Sequence, residues 1–179
     1  MTLDTVSDQP VITAERFALR PVCAADAGPL RLYAGDERVA RYTRSIPHPM
    51  PPGAIEGFIE RALDPDRTED VWVMEGTGQG LSGVLGVIAL DRMERAQSEI
   101  GYWVAPAMWG TGIASEAVAA LLAANPHAAR TIFAEVFQDN PGSARVLTNA
   151  GFEYIGDAEA YSVARQAKVA TWTYLRKMV

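Results

Sequence analysis

The sequence predicts one α+β domain built on a mixed, mostly antiparallel central sheet of about six to seven strands, flanked by about four helices. Three observations carry that prediction. The predicted elements run strand, two helices, three strands, helix, strand, helix, two strands, so they lack the regular alternation of a doubly wound parallel fold. One strand–turn–helix unit, Ser98 to Leu122, supplies the central crossover. The 179 residues show no internal repeat and no linker, and that length suits a single domain, 1–179, with a real core.

Residues 1–10 are polar and are expected to be a loose lead. Val11 to Pro21 reads as the opening strand, with Phe17 and Leu19 alternating against Arg16 and Arg20. Ala24 to Ala34 reads as a helix with Leu30 and Tyr33 among its apolar positions and Asp26 in its first turn. Four prolines, Pro47, Pro49, Pro51 and Pro52, make Tyr42 to Pro52 a loop. A second helix over 53–63 presents Ile55, Phe58, Ile59 and Ala62 on one face, and Asp64-Pro65-Asp66 ends it. Val71–Glu75 and Gly83–Leu90 read as a hairpin around GTGQGLSG, taken as a flexible turn because no helical pattern follows it.

Ser98 to Val104 is a strand with Ile100, Tyr102 and Val104 on one face and Glu99, Gly101 and Trp103 on the other, and Pro106 ends it. The turn Trp109-Gly110-Thr111-Gly112-Ile113-Ala114-Ser115 leads into a helix whose apolar positions Ile113, Ala117, Val118, Leu121 and Leu122 follow a 3.6 period until Asn125-Pro126. Thr131 to Phe137 is the next strand. Asn140 is a good N-cap, Pro141 fits the first helical position, and Gly151 closes that helix after an apolar edge of Ala144, Leu147 and Ala150. Phe152–Ile155 and Val169–Leu175 read as a terminal pair of strands joined by a loop that holds Glu159 and Tyr161.

The turn after Trp109 has the chemistry of an anion site. Gly110 and Gly112 remove side chains that would block approach, and amides at a helix N-terminus, with the helix dipole behind them, suit a pyrophosphate. No lysine follows the second glycine, so this is not a GxxxxGK[ST] loop. Ser115 stands where a dinucleotide fingerprint needs its third glycine. Glycines in such a pair also occur in ordinary strand-to-helix turns.

Two stretches carry a more specific signal. EIGYWVAP followed by WGTGIASEA resembles the acetyl-CoA pyrophosphate loop of the GNAT acetyltransferases, with Trp109, Gly112 and Ala114 in the first, fourth and sixth places of the family pattern. Tryptophan in first place is usual in the RimJ/RimL-like branch, the ribosomal-protein N-terminal alanine and serine acetyltransferases. Asn140, Ser143, Leu147, Gly151 and Phe152 resemble the family's second stretch, and the opening TAERFALRP is also typical. The resemblance extends over nearly the whole chain. It implies an acetyl-CoA-dependent N-acetyltransferase acting on a primary amine, a protein N-terminus or a small molecule. It places Trp103, Val104, Trp109, Gly110, Thr111, Gly112, Ile113, Ala114, Ser115, Asn140 and Ser143 against the cofactor, with the Asn140 side chain on the pantetheine arm. It also sets the first two helices and their loop over the acceptor, where Tyr42, Arg44 and His48, together with Glu159 and Tyr161, are the candidate contacts.

The chemistry asks for a base, because an amine attacks a thioester only when neutral. It also asks for donors to the oxyanion, which strand amides beside Val104 can supply, and for a donor to the departing thiolate. No nucleophile is required, and transfer is direct within a ternary complex. Glu135, five residues before Asn140, is the first choice for the base, Glu99 the rival and Glu159 the third. Many members of the family place a tyrosine seven residues after the asparagine, where this chain has Leu147. The ribosomal-protein-like branch uses the serine three residues on, here Ser143, to stabilise the thiolate. That departure leaves room for an idle acyl-CoA-binding protein, and a longer acyl donor is a third reading.

Composition narrows the classes. A net charge of −6 disfavours a nucleic-acid binder and suits cationic partners such as amines. Cys23 is the only cysteine, and its place near a helix start, far from either histidine, argues against a nucleophile. With His48 and His127 the only histidines, no metal site is expected and a Ser-His-Asp triad has little support; His127, just past a helix end, reads as a surface or capping residue. No apolar run reaches the roughly 20 residues of a membrane span, and the acidic N-terminus has no signal-peptide core, so a cytoplasmic protein is expected. A homodimer is compatible with all of this.

Overall fold

A computed structural model describes residues 9–78 and 80–179. Eight strands form one sheet: β1 (Ile12–Thr13), β2 (Phe17–Pro21), β3 (Glu69–Gly78), β4 (Leu81–Met93), β5 (Gln97–Val104), β6 (Thr131–Phe137), β7 (Glu153–Ser162) and β8 (Ala167–Lys177). Their order is β1-β2-β3-β4-β5-β6-β8-β7. Five α-helices accompany them: α1 (Ala27–Ala34), α2 (Glu37–Ala40), α3 (Ala54–Ala62), α4 (Ile113–Ala124) and α5 (Pro141–Asn149). The class is as expected, with one more strand and one more helix.

The differences have local causes. The opening strand is a small hairpin: β1 folds onto β2 with Ile12 opposite Leu19, and the amide of Ala14 donates to the carbonyl of Phe17. The glycine stretch after Glu75 is mostly strand, because β3 runs on to Gly78 and β4 begins at Leu81. Gly76 permits that tight pairing, since a Cβ there would lie 2.6 Å from the backbone of Leu81 and Ser82. The segment with Glu159 and Tyr161 is not a loop but the outer half of β7, paired with Ala170 and Lys168 of β8. Of the expected loose lead, residues 1–8 lie outside the described residues, while Gln9 donates to the Val71 carbonyl and Pro10 accepts from the Trp72 indole.

Two apolar clusters sandwich the sheet. On one face α4 and α5 bury Ile113, Val118, Leu121 and Leu147 against Trp72, Ile88, Ile100 and Ile132. On the other, α1 and α3 bury Leu30, Ile55 and Ile59 against Val71, Val73 and Val87. Alternation along β5 assigns its side chains as expected, with Ile100, Tyr102 and Val104 toward α4 and Trp103 toward α1 and α3.

His127 is not a surface residue. It is buried beneath the C-terminal end of α4, where Nδ1 meets Ser98 Oγ at 2.9 Å and Nε2 meets Asp70 Oδ2 at 2.8 Å. Arg67 Nε completes the chain on Asp70 Oδ1 at 2.9 Å. With only two histidines a Ser-His-Asp grouping has little support in the sequence, and the three residues come from distant segments. They do meet, but all three side chains are enclosed, and the grouping ties β3, β5 and the end of α4 together.

Candidate active site

The site begins where the sheet comes apart. β5 and β6 are its only parallel pair among the described residues, and they register at just three positions, ending at Glu99 opposite Phe133. Beyond that point β5 continues to Val104 and β6 to Phe137 without pairing, so a fork opens through the sheet. Side chains from both faces border it.

At the tip of β5 the chain turns into α4. Gly110 and Gly112 both hold positive φ, +75° and +82°, a conformation that costs other residues about 1–2 kcal/mol. Gly112 is the N-cap, and no side chain caps the helix. The first helical bond runs from the Glu116 amide to the Gly112 carbonyl, so the amides of Ile113, Ala114 and Ser115 have no acceptor within the helix. Ile113 itself is buried in the core, leaving its amide as the part that can face a ligand. Thr111 Oγ1 donates to the Met108 carbonyl, and the Trp109 indole donates to the Val104 carbonyl at 2.7 Å, which braces the turn against the end of β5.

Arg16, from the TAERFALRP segment, reaches this turn through a contact 100 residues away in sequence. Glu116, in the first turn of α4, accepts from the Arg16 amide at 3.0 Å and from Nε at 2.8 Å. That grip leaves both Nη groups without a bond among the described residues, and Nη2 lies 3.4 Å from where a Gly112 Cβ would stand. A cation and a row of free amides thus converge on one opening, which fits a pyrophosphate.

Across the fork stands the start of α5. Asn140 is its N-cap, its Oδ1 accepting from the Ser143 amide at 3.4 Å, and this commits the oxygen while leaving the NH2 group to donate outward. Ser143 Oγ lies 2.8 Å from the hydroxyl of Tyr102 on β5. Leu147 is fully buried in the core, so the helix offers no hydroxyl at that position.

On the opposite face of the sheet three expected residues meet. Arg44, from the loop between α2 and α3, places Nη1 3.3 Å from Glu135 Oε1 and binds Glu99 Oε1 through Nη2. Glu135 also accepts from the buried hydroxyl of Thr171 at 3.0 Å. Burial lowers the pKa of the Arg44 guanidinium, but Glu99 and Glu135 reverse this and hold it above the ordinary arginine range. Nearby, burial and the charge of Asp91 push the Glu69 carboxyl up.

The other expected acceptor contacts are dispersed. Tyr42 is packed between the guanidiniums of Arg41 and Arg165, at 5.3 and 5.6 Å from its ring. Arg165 is itself held by Asp139 at 2.7 Å and by the Arg41 carbonyl at 2.8 Å. His48 keeps a buried Nδ1 with no partner among the described residues. Glu159 and Tyr161 are exposed on β7, on the face opposite Glu135: their neighbour Ala158 registers with Thr171, whose side chain meets Glu135. The structure therefore does not bring them to Arg44, and Glu159 is not gathered with the two carboxylates it rivalled.

Comparison with known proteins agrees with this geometry. Residues 16–153 match the model of the acetyltransferase (GNAT) domain. The chain is 29% identical over 160 residues to the uncharacterized N-acetyltransferase YoaA of Bacillus subtilis, covering 85% of this chain and 88% of that one. Its fold is similar to that of RimJ from Mycobacterium smegmatis, solved with CoA-disulfide, with a TM-score of 0.73, 23% identity, and 94% and 87% of the two chains covered. It is also similar to spermidine N-acetyltransferase from Vibrio cholerae, solved with CoA and spermine, with a TM-score of 0.73, 17% identity, and 89% and 95% covered. A family match over most of its length, on a fold that opens between β5 and β6 and sets bare amides at the start of α4, makes this chain a member of the GNAT acetyltransferase family.

Proposed function

We propose that the protein transfers an acetyl group from acetyl-CoA to a primary amine, with both substrates bound at once and with acceptors of the kind used by the RimJ/RimL-like branch. The observation that carries this reading is the fork itself: Ser143 borders it from one side of the sheet, and Glu135 with Arg44 from the other. The residues present fit acetyl-CoA. The amides of Ile113 to Ser115 and the free Nη groups of Arg16 suit the pyrophosphate, and the outward NH2 of Asn140 suits the pantetheine amides. When bound, the thioester supplies the electrophilic carbonyl; the rest falls to this chain's own residues.

Glu135 is the base. It is held by Thr171 and Arg44 rather than left to rotate, and a fixed carboxylate beside the fork takes the ammonium proton of the acceptor, directly or through one water. Glu99 shares the same guanidinium and sets the local charge: two carboxylates against one arginine leave one negative charge, which an acceptor ammonium neutralises. Ser143 donates to the departing sulfur. Arg44, in the proline-stiffened loop, borders the acceptor.

The test is a panel of amines, including a peptide with a free N-terminus, an amino acid, a diamine and spermidine, read by thiol release from acetyl-CoA. Turnover with one class identifies the acceptor. CoA binding without turnover on any amine would convert the protein into an acyl-CoA-binding module, the reading that Leu147 in place of a tyrosine keeps in play. Longer acyl donors in the same assay report the size of the acyl pocket.

A further inference from the structure

We propose that Tyr102 is a positioning residue for thiolate departure: its hydroxyl aims the Ser143 hydroxyl hydrogen at the leaving sulfur. The inference rests on the reading that Ser143 faces that sulfur. Tyr102 lies on β5 beyond the last residue paired with β6, and its ring packs against the α4-side core. Its hydroxyl is 2.8 Å from Ser143 Oγ and 3.3 Å from the Ser143 carbonyl oxygen.

Two hydroxyl hydrogens and three acceptor oxygens meet here, which leaves two arrangements. In one, Ser143 donates to the Tyr102 oxygen and Tyr102 donates to the Ser143 carbonyl; no hydrogen faces the fork. In the other, Tyr102 donates to Ser143 Oγ, and the serine hydrogen is released toward the fork. A neutral thioester sulfur is a poor acceptor and does not favour the second arrangement. As the C–S bond breaks, its electron pair goes to sulfur and the growing negative charge does favour it. The switch is a pair of hydroxyl rotations. No proton leaves either residue, and the thiolate is protonated later by solvent. Burial pushes the Tyr102 hydroxyl up to about 12, against a smaller opposing effect from Ser143, so it stays protonated and able to donate at working pH. A donor that strengthens only as charge develops acts on the transition state and not on ground-state binding.

The experiment measures kcat, KM for acetyl-CoA, CoA affinity and melting temperature for the native protein, Ser143→Ala, Tyr102→Phe and the double variant. Ser143→Ala is expected to lower kcat by ~10²-fold, as for loss of a donor to a developing anion. Tyr102→Phe is expected to lower kcat by about three- to tenfold, the worth of one neutral hydrogen bond, with CoA affinity unchanged. In the Ser143→Ala background, Tyr102→Phe is expected to cost nothing more, because the hydroxyl it aims is gone. An intact kcat in Ser143→Ala would overturn the assignment of Ser143 and the relay with it. A loss in Ser143→Ala combined with no effect of Tyr102→Phe, or with the same cost in both backgrounds, would overturn the relay alone. Should Tyr102→Phe melt far below the native protein, 3-fluorotyrosine at position 102 keeps the shape and strengthens the donor. It is expected to raise kcat in the native background and leave Ser143→Ala unchanged; equal behaviour in both would overturn the relay.

Discussion

His127→Ala separates what holds the fold from what runs the site. The substitution removes a buried imidazole that bonds Asp70 at 2.8 Å and Ser98 at 2.9 Å. A bond to a charged partner is worth about 1.5–3 kcal/mol and one between neutral groups about 0.5–1.5 kcal/mol. Together they set an expected loss of about 3 kcal/mol, before any cavity contribution. For a chain of this length each kcal/mol moves the melting temperature by about 2–4 °C, so a fall of about 6–12 °C is expected at neutral pH. Burial pushes the Asp70 carboxyl up, but donation and charge from His127, with the charge of Arg67, more than offset it and hold the carboxyl below the usual carboxylate range. A depressed carboxyl contributes stability that is present above its unfolded pKa and is lost as pH falls through its folded value. The native protein should therefore lose this increment only in acid, below about pH 4, and His127→Ala, with less to hold the Asp70 carboxyl down, should show a smaller acid-dependent loss of stability. Because the network lies beneath the far end of α4 from the turn, kcat and CoA affinity measured well below the melting point should stay within about twofold. Calorimetry across a pH series, run beside a steady-state assay, decides the matter. A melting temperature within 2 °C of native, or a turnover loss larger than tenfold in folded protein, would refute the assignment of this Ser-His-Asp grouping to architecture.

Four other outcomes are expected. CoA should raise the melting temperature in a concentration-dependent way, by the equivalent of about 2.7 kcal/mol at a hundredfold excess over Kd, and Gly112→Glu should abolish that shift because it sets a carboxylate in the anion turn. Arg16→Ala should weaken CoA about tenfold or more by calorimetric titration, the worth of one charge-assisted bond, while the acceptor KM stays unchanged. Glu135→Gln should lower turnover by ~10²–10⁴-fold and more than Glu99→Gln; the reverse ranking would hand the role to Glu99. Arg44→Ala should lower kcat by about tenfold or more through a mispositioned base and leave CoA affinity untouched, and a selective loss of CoA binding would show that the guanidinium serves the donor side instead.

The parts of the fold legible in the sequence are those with strong local periodicity. α4 repeats apolar residues at a 3.6 spacing, β5 alternates, and α5 has Asn140 and Pro141 to start it and Gly151 to stop it. The β1–β2 hairpin was hidden because Ala14-Glu15-Arg16 contains no turn residue. The outer half of β7 was hidden because an exposed edge strand has no core to impose an apolar face, and Asp157 and Glu159 read as loop. α2 is a four-residue helix, too short for a period to register. At the candidate site, Glu99, Glu135, Asn140 and Ser143 are legible in the sequence because each lies on or beside a recognisable motif. Arg16, Tyr102 and Thr171 are not legible as neighbours of the candidate site because the contacts that place them there are with partners 100, 41 and 36 residues away. His127 was misread for the same reason: its partners Ser98 and Asp70 are 29 and 57 residues distant.

The fork has a further consequence for how such a protein can change. In the proposed reading, the donor contacts lie chiefly on β5, α4 and α5 on one face, whereas Arg44 stands on the other in the loop between α2 and α3. Part of its anchorage is to backbone, the Val163 amide on the Arg44 carbonyl at 3.0 Å and Arg165 on the Arg41 carbonyl, beside the packing of Ile46 and Met50 against the α1–α3 core. A bond to a carbonyl does not depend on which side chain that residue carries. The backbone share of that anchorage persists as exposed loop positions vary, so under the proposed reading a new acceptor preference can be grafted between helices while Ile46 and Met50 keep the loop packed. The architecture behaves as a fixed engine with an exchangeable mouth, and loop grafts between relatives that differ in acceptor are the engineering route it invites.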